Sequence, residues 1–171
     1  SFIICNAKDF KLTIEPKNAK KFVDISKEIL KIANKEFGFS HPTLPSLNYI
    51  SFCQFIEPVK MNSLKQKEGW NTVNIRPGKL DRSPCGTGTS ARLALMKEKN
   101  EIDVNEIFIS RSIIGSTFET KIKEEFISNG KNMIKPLIAG SAFITGKQEL
   151  YVSKNDPFPE GYRLNDTWPD F

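Results

Sequence analysis

The sequence is poor in the residues that build metal centres and disulfide frameworks. It holds three cysteines, Cys5, Cys53 and Cys85, and a single histidine, His41, in 171 residues. No two cysteines stand in a C-x-x-C pair, so a structural zinc site lacks ligands at a workable spacing and no metal is expected. An odd, widely spaced set also argues against a disulfide scaffold and for reduced thiols in a cytoplasmic protein. No apolar run is long enough to span a bilayer, so no membrane association is expected. The opening SFIICNAKDF lacks the basic start and small-residue cleavage site of a signal peptide. It reads as a strand entered abruptly, as in a fragment. A dense basic patch is missing too. The net charge is +5, but lysines alternate with acids in KEKNEID and KIKEEF, which describes a solvated surface and no nucleic-acid interface. Internal repeats and low-complexity linkers are also absent.

What remains is the composition of an ordinary globular chain, 39% hydrophobic, enough for one large domain or two small lobes with a real core. Residues 2–5 (FIIC) and 10–14 (FKLTI) read as strands, the second closed by Pro16. Over residues 18–37 the apolar Phe22, Val23, Ile29, Leu30, Ala33 and Phe37 recur at helical spacing, with Asn18 placed to cap the start and Gly38 the end. A strand is expected over residues 48–56, a polar loop over 60–69, and a further strand at WNTVNI. Residues 88–97 read as a short helix with Ala91, Ala94 and Leu95 turned inward. EIFISRSI, STFETKI, MIKPLIA, SAFITG and ELYVS read as strands punctuated by glycines. Two helices among many strands, without regular βαβ alternation, predict a mixed α+β fold. Cys5 and Cys53 lie in apolar runs and are expected in the core.

Cys85 stands in different company. In residues 81–91, DRSPCGTGTSA, Pro84 stiffens the approach to Cys85, while Gly86 and Gly88 free the backbone to approach a ligand closely. A helix starting directly afterwards offers unpaired N–H groups and the positive end of its dipole, a place for a carboxylate. The same field is expected to lower the thiol pKa and favour the thiolate, a base for the carbon next to that carboxylate. Asp81, four residues earlier, can pair with an ammonium group on the same carbon. Carboxylate, ammonium and a Cα proton together describe an α-amino acid. A buried cysteine behind a tight glycine turn is the competing reading. A phosphate loop lacks its GK[ST] ending, and a Cys–His hydrolase would have only His41, which sits beside prolines.

DRSPCGTGTSA resembles the second catalytic signature of the proline racemase family, which includes 4-hydroxyproline epimerases and trans-3-hydroxyproline dehydratases. HPTLP at 41–45, RSIIGSTFE at 111–119, AFITG at 142–146 and NDPFPEGY at 155–162 follow the same family's order. The resemblance implies one lobe of a two-lobed, diaminopimelate-epimerase-like fold, a mixed β-sheet wrapped around a central helix that begins near Gly86. It implies a catalytic lobe over residues 1–160, and a tail over 161–171 that packs on an N-terminal lobe not contained in this chain. It also implies a site that works without cofactor or metal. Two cysteines, one from each lobe, flank the substrate Cα. One takes a proton as thiolate and the other returns one as thiol. Carried over, Cys85 is the second of that pair, Gly86 and Thr87 donate backbone N–H groups to the substrate carboxylate, and Asp81 binds the ring nitrogen. The family's first signature, a Cys-Gly-His loop, is absent from these residues, so the chain alone is expected to be inactive and its complete form to be a homodimer. Dehydratases usually carry Thr at position 85, so Cys85 favours a racemase or epimerase over a lyase. Proline is the first choice of substrate over 4-hydroxyproline, with Ile75, Arg76 and Lys79 expected near the pocket. A lobe that only binds small carboxylates is the non-catalytic alternative.

Overall fold

The structure is a computed structural model that describes residues 1–75, 78–162 and 164. The chain divides into two units, Ser1–Gly140 and Ser141–Phe171. Among the described residues no helix is long and apolar enough to cross a membrane.

The first unit is built on one mixed sheet. Its strands are β1 (Phe2–Asn6), β2 (Phe52–Ile56), β3 (Lys60–Met61), β4 (Lys67–Ile75), β5 (Lys79–Leu80), β6 (Phe108–Arg111), β7 (Thr117–Ser128) and β8 (Lys131–Ala139), with α1 (Ala19–Glu36) and α2 (Gly86–Glu98) between them. The main order is β1-β2-β4-β6-β7-β8, and β3 and β5 both pair with β4. β1 runs parallel to β2 across the α1 crossover, β4 runs parallel to β6 across α2, and the remaining pairs are antiparallel. The mixed α+β class expected from the sequence is thus the one observed.

Alternation along β2 and β4 sorts the sheet's two faces. Phe55 turns to α1, where its ring lies 4.8 Å from that of Phe22 in a core shared with Leu30, Ala33, Cys53 and Leu80. Val73 turns the other way, toward the first turn of α2 at Gly88. Leu93 and Met96 of α2 join Ile102, Phe108 and Ile122 in a second core. The two ends of the sheet order, β1 and β8, both touch α2, so the sheet curls around this helix. The curl explains why α2 shows little amphipathic patterning: its neighbours lie on several sides.

α1 buries Phe22, Ser26, Leu30 and Ala33 along one stripe and ends at Gly38, whose φ of +63° admits the left-handed closing residue. Asn18 does not cap it. Its amide donates to the carbonyl of Thr13 at 2.9 Å, and the helix is entered instead through a 3-10 turn, Pro16–Asn18, with proline at its first position.

Three strand expectations and one loop expectation fail for identifiable reasons. Residues 10–14 are not a strand. The Asn6 side chain accepts the N–H of Lys8 and starts a 3-10 turn, Ala7–Phe10, that closes through Lys11 in the left-handed region. The polar stretch 60–69 is not a loop throughout. Asn62 Oδ1 accepts from Leu64 and Gln66 at 2.9 Å each, which closes a turn and lets Lys60–Met61 pair with Lys67–Glu68. SAFITG and ELYVS carry strand-favouring residues but form no strand, because they find no ladder partner among the described residues. The second unit instead holds local turns, in which Phe158 donates its N–H to Asp156 Oδ1 and Gly161 donates to the carbonyl of Phe158.

Candidate active site

The site begins where β4 and β5 part. Asp81 donates its N–H to the carbonyl of Val73 at 3.0 Å, which fixes the chain as it leaves the sheet. Asp81 Oδ1 then accepts both the N–H and the hydroxyl of Ser83 at 2.8 Å each, and Ser83 Oγ in turn accepts the N–H of Cys85 at 3.1 Å. This relay of short-range bonds is the local chemistry that Asp and Ser offer in turns. Ser83 was not singled out from the sequence, although its place two residues after an aspartate is the available signal.

Cys85 occupies the cap position of α2 with φ 61° and ψ 107°, a conformation that side chains other than glycine rarely take. It is 8% exposed. Its Sγ accepts the N–H of Gly88 at 3.4 Å and lies 3.6 Å from the Thr87 hydroxyl. The carbonyl of Cys85 accepts from Thr89 at 2.8 Å and starts the helical ladder. Of the first-turn donors, those of Gly86 and Thr87 have no acceptor among the described residues. These are the groups that a helix start offers to an anion. The helix begins at Gly86, two residues before the start that hydrophobic spacing suggested and where the family resemblance put it.

The thiol is not depressed as the helix-terminus argument expects. Burial raises its pKa above the ordinary thiol value and outweighs the lowering by the Gly88 N–H and the Thr87 hydroxyl. Asp81 adds to the rise, by its charge and by accepting from the thiol. A helix dipole acts on a partly hydrated thiol, whereas here the cost of an unsolvated negative charge is the larger effect.

The walls come from distant parts of the chain. A Cβ placed on Gly88 would meet Val73 Cγ2 at 3.0 Å, Cys85 Sγ at 3.2 Å and the Phe2 ring at 3.3 Å, and one on Gly86 would lie 4.0 Å from Ile138 Cδ1. Strands β1, β4 and β8 thus enclose the start of α2, and nothing in the local sequence marks Phe2 or Ile138 for that place. Asp81, Cys85, Gly86 and Thr87 are brought together. Lys79 is not with them: it lines a cavity of about 450 Å³ with Arg82 and with Lys20 and Val23 of α1. Ile75 pairs with Lys79 at the end of β4, and Arg76 lies outside the described residues. Cys53 is fully buried and Cys5 half-buried, as expected of core residues, and Cys53 is held protonated by its hydrogen bond to Cys5 and by burial. The His41 ring accepts from Thr43 and Leu44 and meets the edge of Phe39, so its contacts stay within its own loop.

Comparison with known proteins identifies the family. A family model described as proline racemase matches residues 1–163. The chain belongs to the proline racemase family. Among solved structures it is similar to a hydroxyproline epimerase from Agrobacterium vitis with bound trans-4-hydroxy-L-proline, at 29% identity and a TM-score of 0.79, over 98% of this chain and 47% of that one. It is also similar to a probable proline racemase from Agrobacterium radiobacter K84 with bound carbonate, at 30% identity and a TM-score of 0.76, over 98% of this chain and 48% of that one. The chain therefore spans about half the length of these relatives. Its mixed sheet around α2 is one lobe of the fold they share.

Proposed function

We propose that Cys85 is one of two thiol acid–base groups that remove and return the proton at Cα of proline or a hydroxyproline, with the other thiol on a second lobe. The observation that carries this reading is the arrangement at the start of α2. Two N–H groups without acceptors among the described residues, those of Gly86 and Thr87, stand beside a thiol that an aspartate faces. The amides receive the substrate carboxylate, Asp81 receives the ring nitrogen, and Cys85 faces Cα. No cofactor or metal takes part in this scheme. The carbanion formed when the proton leaves is an enediolate in character, and amides aimed at the carboxylate stabilise the charge that develops there.

The raised pKa assigns a starting role. Burial keeps Cys85 as the thiol near neutral pH, the form that donates a proton. When a substrate ammonium pairs with Asp81, that carboxylate no longer opposes the thiolate, and the same sulfur becomes a better base for the reverse direction. With only one of the two acid–base thiols on this lobe, the chain alone is expected to be inactive. The complete enzyme is expected to pair as a homodimer; the tail expected to pack on the second lobe, residues 161–171, lies outside the described residues except at 161, 162 and 164.

Proline in heavy water tests the reading. Deuterium should enter Cα when the two-lobed protein is present, and Cys85→Ser should abolish its entry. A planar proline analogue should also protect Cys85 from alkylation. Protection without exchange would make this a carboxylate-binding lobe. The absence of both in the two-lobed protein would overturn the assignment.

A further inference from the structure

Behind the Cys85 loop, a line of three buried polar side chains runs from the sheet to the loop. Asn71 on β4 donates from Nδ2 to Ser110 Oγ on β6 at 2.8 Å. Ser110 Oγ lies 2.9 Å from Thr89 Oγ1 on α2, and Thr89 Oγ1 lies 3.0 Å from the carbonyl of Pro84. All three residues are fully buried. The donor order along this line is determined. The Pro84 carbonyl can only accept, so the Thr89 hydroxyl donates to it and must accept from Ser110. Ser110 then accepts from Asn71, whose Nδ2 also reaches the Arg111 carbonyl at 3.4 Å, another group that can only accept. Each hydroxyl therefore gives one hydrogen bond and takes one, with no titratable group in the line.

The line ends one residue before a backbone that would not hold itself. At φ 61° Cys85 is in a region that costs of order 1–3 kcal/mol for a side chain and persists only where the surroundings over-determine it. The peptide that links Pro84 to Cys85 is held at its carbonyl by Thr89 and at its N–H by Ser83 Oγ. With both ends held, the sulfur reaches the Gly88 N–H.

We infer that Asn71, Ser110 and Thr89 form a positioning relay. It locks the Pro84–Cys85 peptide in its left-handed setting and so keeps the Cys85 sulfur on the Gly88 amide. The inference builds on the reading of Cys85 as the working thiol, but it concerns the thiol itself. Without the Thr89 bond, the loop relaxes toward negative φ and the sulfur leaves the one backbone donor that favours its ionised form. Asp81 is the charged group that faces the thiol, and the neighbouring strands present Phe2, Val73 and Ile138, none of which titrates.

The test is the pH profile of Cys85 alkylation by iodoacetamide in the full chain, with peptide mass spectrometry to separate Cys85 from Cys5 and Cys53. Thr89→Val should move the midpoint upward by about one pH unit, and Thr89→Ser, which keeps the hydroxyl, should restore it. A folded Thr89→Val protein with the wild-type midpoint would overturn the relay, as would a shift that Thr89→Ser fails to reverse. If Thr89→Val does not fold, Ser110→Ala decides in the same way, an upward shift supporting the relay and an unmoved midpoint overturning it. Heavy-water exchange reads the substrate proton instead. A moved midpoint without exchange therefore sinks only the acid–base role, and an unmoved midpoint with exchange sinks only the relay.

Discussion

The guanidinium of Arg92 occupies the space a side chain on Gly69 would fill: a Cβ there would overlap its Nη2 and sit 2.8 Å from Cζ. The group is sandwiched between that bare stretch of β4 and the Phe108 ring, 5.0 Å from the ring centroid, and is 1% exposed. Nη1 donates to the carbonyl of Trp70 at 2.9 Å and Nη2 to that of Glu57 at 2.7 Å. Burial lowers its pKa to about 10, which still leaves it charged at neutral pH. The helix that Cys85 caps is thus clamped to the sheet by a cation that makes no ion pair among the described residues, with only the more distant charges of Glu101 and Glu57 favouring it.

Arg92→Ala should destabilise the chain by about 3 kcal/mol, because it takes the guanidinium donor from the Glu57 carbonyl, leaves the Trp70 carbonyl with the Glu57 N–H alone, and opens a cavity beside Phe108. Arg92→Lys should recover only part of this, since an ammonium cannot reach both carbonyls while lying flat on a ring. Gly69→Ala should cost roughly 1–3 kcal/mol by overpacking the guanidinium. Urea denaturation reads all three, and a Gly69→Ala midpoint equal to wild type would refute the clamp.

Cys85→Gly should be more stable than Cys85→Ala by about 1 kcal/mol, although both lack the thiol. Both variants remove the sulfur, so their difference isolates the strain of a side chain at φ 61°. Thermal unfolding of the pair measures it. Equal stability would mean that the backbone relaxes when the thiol is removed. Cys85→Ser should keep the fold, with a modest loss.

Alkaline pH should weaken the fold through Cys85. Its folded pKa lies above the ordinary value of 9.0, so the folded state holds this proton more tightly than the unfolded chain does. The stabilisation is fully present below that ordinary value and is lost as pH rises from it through the folded value, at up to about 1.4 kcal/mol per pH unit between the two. The measurement is a difference between two proteins that share every other ionisable group. The urea midpoint of wild type should fall more steeply above pH 9 than that of Cys85→Ser, and parallel curves would show that burial does not hold the proton.

Much of the site was legible in the sequence because it is local. Asp81, Cys85, Gly86 and Thr87 stand within seven positions, and the bonds that join Asp81 to Cys85 through the unanticipated Ser83 run between near neighbours. The spacing of Phe22, Leu30 and Ala33 likewise exposed α1, whose single buried face repeats with the helical period. Other features were hidden by competing local chemistry. FKLTI has strand-like alternation, but the Asn6 side chain captures the Lys8 amide and turns the chain before a strand can start. Lys60–Met61 is exposed and short, and it becomes a strand only because the Asn62 turn folds it back on β4.

By itself the sequence determined the family, the mixed α+β class and the loop that carries the thiol, since each rests on residue types at fixed short spacings. Tertiary structure decided what that thiol is. Burial among β1, β4 and β8 sets its pKa, and the direction is opposite to the one a helix terminus alone would give. It also decided that Arg92, Thr89, Ser110 and Asn71 belong to the same support. Their partners lie on β4, β6 and the segment between β2 and β3, far away in sequence, and only the curl of the sheet around α2 brings them within hydrogen-bond reach.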